Sequence, residues 1–423
     1  MIYNATIYND SWNTKKLKEL GDFSRGKSKH RPRNDPELFN NGTYPLVQTG
    51  DIKAATLHIA KHEQSYNEFG LSQSKLWPTG TLCITIAANI AETGILAYPM
   101  CFPDSIVGFT ANHTETSELF MHYVFTYIRQ SIQNSVSGSI QDNINIEYLK
   151  SLDFKIPEKP YQDKIVAVLS NLDEKIELNL KICSELESMA KTLYDYWFVQ
   201  FDFPDENGNP YRTSGGEMIS NEQLKREIPK RWEIKRISDI CEIISGHPFQ
   251  SSTYSETGKY KLITIKNVQD SGIDINVDNY INDLPENLPD YCVLSSGDIL
   301  MSLTGNVGRV GLMYVDDCLL NQRVALIKPK HSYLNTFLYF LFKSDTLKKK
   351  MKNIATGTSQ KNLSPVDTGN LLIPFNVETV KLFCDKLESI ITKIVIAEKE
   401  KVEITKLRDW LLPMLMNGQA RVE

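Results

Sequence analysis

Gly21-Asp22-Phe23-Ser24-Arg25-Gly26-Lys27-Ser28 matches the GxxxxGK[ST] phosphate loop at every position. Such a loop works between a buried strand and a helix whose first amides point at phosphate. The residues before it, Lys15 to Leu20, carry charge without a strand pattern. Those after it, Lys29 to Pro36, place two prolines where the helix would run. A P-loop nucleotide-binding protein is therefore the weaker reading of this chain. A second glycine-rich stretch, Gly305 to Gly311 in TGNVGRVG, has GxxGxxG spacing with no long helix after it, and a hairpin that lets backbone approach a surface fits it better. His58 and His62 stand four apart, but no Cys or HExxH pattern completes a ligand set, so no metal site is expected. No [ND]PP[YF] methyltransferase motif, Ser/His/Asp set or paired carboxylates recur, and no catalytic site is expected.

What does recur is amide, hydroxyl and basic chemistry on loops. Ser139, Gln141 and Asn143 in GSIQDNI correspond to Ser359, Gln360 and Asn362 in GTSQKNL, where Lys361 lies between the amides. Asn321, Gln322 and Arg323 precede an apolar run, and His247 and Gln250 follow the opening of the second copy. Gln and Asn can bond adenine bidentately, and Arg or Lys guanine, each good pair giving about 1–3 kcal/mol of base discrimination. A single loop Asn or Gln is more often a turn cap; recurrence in both copies favours base readout. Arg25, Lys27, Lys29, Arg31 and Arg33 cluster near the start, and Lys348, Lys349 and Lys350 late in the chain. Either run alone would be an ordinary solvated face, whereas a run in each copy suits phosphate positioning. The net charge of −5 is unusual for a nucleic-acid reader and implies that a partner supplies part of the field.

The elements that must hold these loops are duplicated about 217 to 220 residues apart. Trp12…Leu17…Leu20…Gly26 returns as Trp232…Ile237…Ile240…Gly246, and Gly80 to Ile86 with Asn89 and Gly94 returns as Gly297 to Leu303 with Asn306 and Gly311. Residues 1–157 read as a mixed α/β module, with apolar runs at Leu82 to Ile86 and Ile106 to Phe109 and a helix over roughly Ser117 to Asn134. Over 158–200, Leu169, Leu172, Ile176, Leu186 and Leu193 mark a heptad seam, unbroken by Gly or Pro for about 35 residues or roughly 50 Å. Asp173, Glu174, Glu177 and Lys181 are assigned to its outer face. Residues 201–231 are a turn-rich connector, 232–374 a second module, and 375–423 a second helix with seam residues Leu387, Ile390, Ile394, Ile404 and Leu411. That seam is imperfect at Lys401 and Arg408. Either it drifts towards Leu407, or the Lys and Arg stems lie along its edge. Neither helix can bury its seam alone, so the economical solution is an antiparallel intramolecular coiled coil with pseudo-two-fold symmetry.

Length fits two to three domains. No apolar run is long enough for a bilayer, no signal peptide opens the chain, and seven scattered cysteines without a CxxC pair suit free thiols in a reducing cytoplasm.

The chain resembles the specificity (S) subunit of type I DNA restriction–modification enzymes over essentially its full length. FDFPDENGNPYRTSGGEM…LKREIPKRWEIKRISDI and LSSGDILMSLTGNVGRVGLM carry the resemblance, supported by GTSQKNLSPVDTGNLLIP and LRDWLLPMLMNGQARV. The first module, with LWPTGTLCITIAANIAETGIL, matches more loosely. The resemblance implies two target-recognition domains, each reading half of a bipartite, asymmetric sequence on double-stranded DNA, with the helices setting the gap between halves. It also implies two methyltransferase (M) subunits as partners, which use S-adenosylmethionine to methylate adenine N6. Two ATP- and Mg-dependent restriction/motor (R) subunits would complete the complex. No cofactor would then bind this chain itself. A scaffold that binds methyltransferase subunits without sequence specificity is the other alternative.

Overall fold

The computed structural model describes residues 2–87, 89–137, 144–357 and 360–423. It divides into two compact units, Met1–Leu178 with Lys401–Glu423, and Asn179–Glu400. Both long helices, Lys159–Tyr194 and Val377–Met416, cross that division, so each unit contains a segment of each.

In the first unit, five strands lie in the order Gly21–Arg25, Ile106–Ala111, Leu82–Thr85, Thr93–Leu96, His58–Ile59. Every residue of Leu82–Thr85 is buried, which explains why it reads as a continuous apolar run rather than an alternating one. Helix Glu118–Ser137 packs Phe120, Val124 and Ile128 into the same core as Leu82, Ile84 and Phe109. The helix segments join this core through Ile165 and Leu169 on one side and Leu412, Leu415 and Met416 on the other. Residues near the two ends of the sequence are also tied together here. Thr6 Oγ1 donates to the Asn417 carbonyl at 2.8 Å and Asn4 Nδ2 to that of Met416 at 3.2 Å.

The second unit repeats the sheet as Cys241–Ser245, Val324–Pro329, Ile299–Ser302, Val310–Leu312. Its core adds Phe337, Phe340 and Phe342 from helix Asn335–Lys343, and Phe383 and Leu387 from the second long helix. The turn-rich stretch 201–231 belongs to this core rather than lying outside it: Phe201, Phe203 and Ile228 are buried beside Trp232. The first long helix ends in a single π-turn, Asp195–Val199, which turns Trp197 and Phe198 inward.

The helix segments meet within each unit, and in the second their contacts run antiparallel. In the first, Asp173 pairs with Arg408; in the second, Asn179 Nδ2 donates to Glu400 at 3.2 Å and the Cys183 thiol to the Ile394 carbonyl at 3.7 Å. Leu169, Ile176, Leu387 and Ile394 are buried, whereas Leu172, Leu186, Leu193, Ile390, Ile404 and Leu411 are half-buried. One sequence assignment changes, and one open alternative is decided. Asp173 is 1% exposed, not on the outer face, because Arg408 Nη1 and the Tyr123 hydroxyl both reach it at 2.7 Å. Leu407 is exposed, so the seam does not drift towards it; the Arg408 stem lies along the seam instead. Burial raises the Asp173 carboxyl pKa despite both partners, as desolvation of a charge does.

All seven cysteines are buried thiols outside any disulfide. Burial pushes the Cys241, Cys318 and Cys384 thiols up to about 12, leaving them unreactive as nucleophiles near neutral pH. Among the described residues no helix is long and apolar enough to cross a membrane, and no group of His, Cys, Asp and Glu could hold a metal ion.

Candidate nucleic-acid interface

The first five residues of GDFSRGKS, Gly21–Arg25, form a strand rather than a phosphate loop. Gly21–Arg25 pairs antiparallel with Ile106–Ala111, from Gly21 opposite Ala111 to Arg25 opposite Val107. Gly26 then donates its N–H to the Ile106 carbonyl at 2.9 Å. A Cβ at Gly26 would come within 2.3 Å of the Phe102 carbonyl oxygen, and one at Gly246 within 2.3 Å of that of Leu320. Each glycine therefore occurs where two backbones cross too closely for any side chain, and the repeat preserves that requirement. The glycine that suggested nucleotide binding has a packing reason, and the phosphate-loop reading falls with it.

The hairpin that follows the central strand is the same device in both units. In the second, Ser302 N–H donates to Arg309 O at 3.0 Å and Gly308 N–H to Ser302 O at 2.9 Å. The Ser302 hydroxyl donates to Asn306 O at 2.6 Å and accepts from Arg309 N–H at 3.1 Å. In the first unit, Thr85 N–H donates to Glu92 O and Ala91 N–H to Thr85 O. The Thr85 hydroxyl bonds Asn89 O and accepts from Glu92 N–H. Gly308 has φ +75° and Ala91 has φ +60°, so both copies need a left-handed residue at that corner.

Backbone hydrogen bonds stitch most second-unit candidates along one edge of this hairpin. Gly305 N–H donates to Lys361 O at 2.9 Å, Leu363 N–H to Leu303 O at 2.8 Å, and Leu303 N–H to Arg323 O at 2.9 Å. Gln322 N–H in turn reaches His247 O at 3.1 Å. Lys361, Asn362, Arg323, Gln322 and His247 thus follow one another across adjacent segments. Gln322, Arg323, Gln360, Lys361 and Asn362 are exposed. Asn321 differs: it is 8% exposed, and its Oδ1 accepts from Arg323 N–H at 3.4 Å, which makes it a turn cap. Gln250 is exposed and caps the short turn Ser251–Thr253 through its carbonyl.

The first unit offers the matching edge. Ile144 N–H donates to Ile86 O, and Ile86 N–H to Ser105 O, both at 3.0 Å, so Ser105 takes the place of Arg323. Gln141 and Asn143, just before Ile144, lie outside the described residues. Arg25, Lys27, Lys29, Arg31 and Arg33 are all exposed. Arg33 is held by Asp104 at 2.7 Å, with Arg31 at 3.9 Å from the same carboxylate.

The three consecutive lysines do not form one patch. Successive helical residues point about 100° apart at 3.6 per turn, and helix Asp345–Ile354 separates them accordingly. Lys348 approaches Asp270 at 3.8 Å, Lys349 is exposed, and Lys350 is half-buried with its Nζ on the Leu372 carbonyl at 3.1 Å. Sequence reasoning passed over Arg309, which projects from the hairpin and pairs with Asp270 at 3.0 Å. Its counterpart Glu92 pairs with Arg129 at 2.9 Å, so the repeat position carries opposite charge in the two units. That charge exchange was the available signal.

The model for the type I restriction modification DNA specificity domain matches twice, over residues 9–188 and 229–406. A type I restriction enzyme MjaIX specificity subunit from Methanocaldococcus jannaschii is 26% identical over 97% of this chain and 94% of its own length. The HindI specificity subunit from Haemophilus influenzae is 26% identical over 72% of this chain and 75% of its own. A crystal structure of a type I restriction–modification S subunit from M. genitalium shares the fold, with a TM-score of 0.56, 17% identity, and coverage of 98% of this chain and 99% of that one. With two family domains together spanning most of its length, the chain belongs to the type I restriction–modification DNA specificity family, whose members are DNA-recognition subunits rather than catalytic ones.

Proposed function

We propose that this chain reads a bipartite, asymmetric target on double-stranded DNA, each unit taking one half. The observation that carries this reading is the duplicated edge beside the hairpin. Its backbone bonds Leu363–Leu303–Arg323 recur as Ile144–Ile86–Ser105 and the hairpin bonds of Ser302 recur at Thr85, while the side chains presented differ: Arg323 against Ser105, Arg309 against Glu92. A repeated frame with unlike side chains suits two different half-sites. Lys361, Asn362, Gln360, Gln322 and Arg323 are the base-edge set in the second unit, and Gln141 and Asn143 are proposed for the first. Arg25, Lys27, Lys29 and Lys349 serve phosphates, with Arg31 and Arg33 held ready by Asp104.

The two long helices pair in this reading as an antiparallel coiled coil that sets the gap between half-sites. Two methyltransferase subunits and two restriction/motor subunits assemble on the chain in the cytoplasm. S-adenosylmethionine, ATP and Mg belong to those partners, whose cations also offset the net charge of −5.

Mapping of adenine methylation in cells that hold the partner subunits, with and without this chain, tests the reading. Methylation confined to one bipartite motif, and only when the chain is present, is expected. Methylation that needs the chain but follows no motif would make it a scaffold without specificity, and the same pattern without the chain would overturn both readings.

A further inference from the structure

A cavity of about 210 Å³ opens in the second unit, and two cations line it: Arg226 and Lys350. Its walls are otherwise largely apolar, with Phe198, Phe337, Leu341 and Ile373 among them, and among the described residues no carboxylate lines it. Both cations are half-buried, and cations withdrawn from solvent ordinarily have acidic partners. Here Arg226 Nη2 donates to the Val199 carbonyl at 2.8 Å and its guanidinium sits 4.4 Å from the centre of the Phe201 ring, while Lys350 Nζ donates to the Leu372 carbonyl at 3.1 Å. The acceptors that these bonds use are neutral carbonyls. Burial, and repulsion from Arg212, lower the Arg226 pKa; burial, and then Arg226 itself, lower that of Lys350. Two like charges are thus gathered at an apolar hollow whose described lining holds no counter-charge.

We propose that this cavity binds a carboxylate carried on a compact apolar body, the acid meeting Arg226 and Lys350 and the body lying against Phe198 and Phe337. Size agrees, since a dry cavity of ~150 Å³ already accommodates benzene. A duplex phosphate is excluded by the same walls, because phosphates are met on open, wet surfaces. The acid can be a free small molecule or the side chain of a bound protein, and the chemistry is common to both.

Calorimetric titration of the full chain with benzoate, benzamide and benzylamine tests this on the unmodified protein. Benzoate is expected to bind about tenfold or more tightly than benzamide, since charge-assisted bidentate bonds to Arg are the strong ones, and benzylamine not at all. Arg226→Gln and Lys350→Met should each weaken benzoate and leave benzamide unchanged, with thermal melts confirming that both fold. Equal binding of benzoate and benzamide, or benzoate binding indifferent to both substitutions, would overturn the proposal. Repeating the titration with methyltransferase subunit added distinguishes the sources. Loss of the benzoate heat identifies a partner side chain as occupant, and retention a free acid. That arm alone rests on the assembly proposed above.

Discussion

Replacing Arg408 by Leu is expected to destabilise the first unit by about 3 kcal/mol. Asp173 is 1% exposed and accepts from Arg408 and Tyr123, each at 2.7 Å. Removing one partner of a buried ion pair costs about 3–5 kcal/mol, because the remaining charge stays in a medium that cannot solvate it. The Arg408 side chain is itself 21% exposed and Tyr123 keeps its bond, so the lower end of that range applies. For a unit of about 200 residues this amounts to a fall in Tm of about 6–12 °C. Differential scanning calorimetry of the full chain would read it in the first unit's transition. The cost should also depend on pH. Asp173 has a raised pKa, and without Arg408 it rises further, so the variant avoids the charge by binding a proton at low pH. The loss is therefore smaller near pH 5 than near pH 8. Replacing both Asp173 and Arg408 by Leu removes the stranded charge and should recover most of the stability. A loss under about 1 kcal/mol in the single variant, or a double variant no better than the single, would refute the claim that this pair is desolvated.

Inserting one heptad into both long helices should lengthen the gap between half-sites and leave the halves unchanged; methylation mapping that found altered halves and an unaltered gap would contradict the spacer role. Arg323→Gln should change base preference within a single half-site by about tenfold, whereas Lys349→Ala should weaken binding to all sequences alike and flatten its salt dependence. His58 donates its backbone N–H to Glu177 at 2.9 Å and its Nδ1 lies 3.0 Å from the same carboxylate. That hydrogen bond raises the His58 pKa, so its stabilisation is complete below about pH 6.5 and disappears as pH rises through the higher folded value. Glu177→Gln should therefore cost more Tm at pH 6 than at pH 8.5, by a modest amount because the His58 side chain is 38% exposed. A cost independent of pH would remove the charge from that account.

The strands at Leu82 and Ile106, the helix after Ser117 and the repeated hairpins were legible because apolar runs and glycine spacing encode local geometry. Asp173 was misplaced for an instructive reason. A charged residue between seam positions reads as exposed, and only Arg408, far along the sequence, makes its burial possible. The lysine triplet misled differently: adjacency in sequence suggested one patch, and helical rotation distributed the three side chains among an ion pair, open solvent and a cavity wall. Asn321 looked like a reader and is a turn cap. Arg226 carried no signal, since a lone cation in a turn-rich stretch acquires meaning only when folding denies it an acid.

Completion of the first unit by residues 401–423 has a consequence for synthesis. Leu412, Leu415 and Met416 belong to the same core as Phe120 and Leu169. A ribosome must add roughly 220 further residues between Leu178 and Lys401 before that core can close. At about 5–20 residues per second, the first unit therefore waits some 10–45 s with part of its apolar surface uncovered. Its first half is born early and matures late, and in that interval a chaperone or a partner subunit has its opportunity to bind.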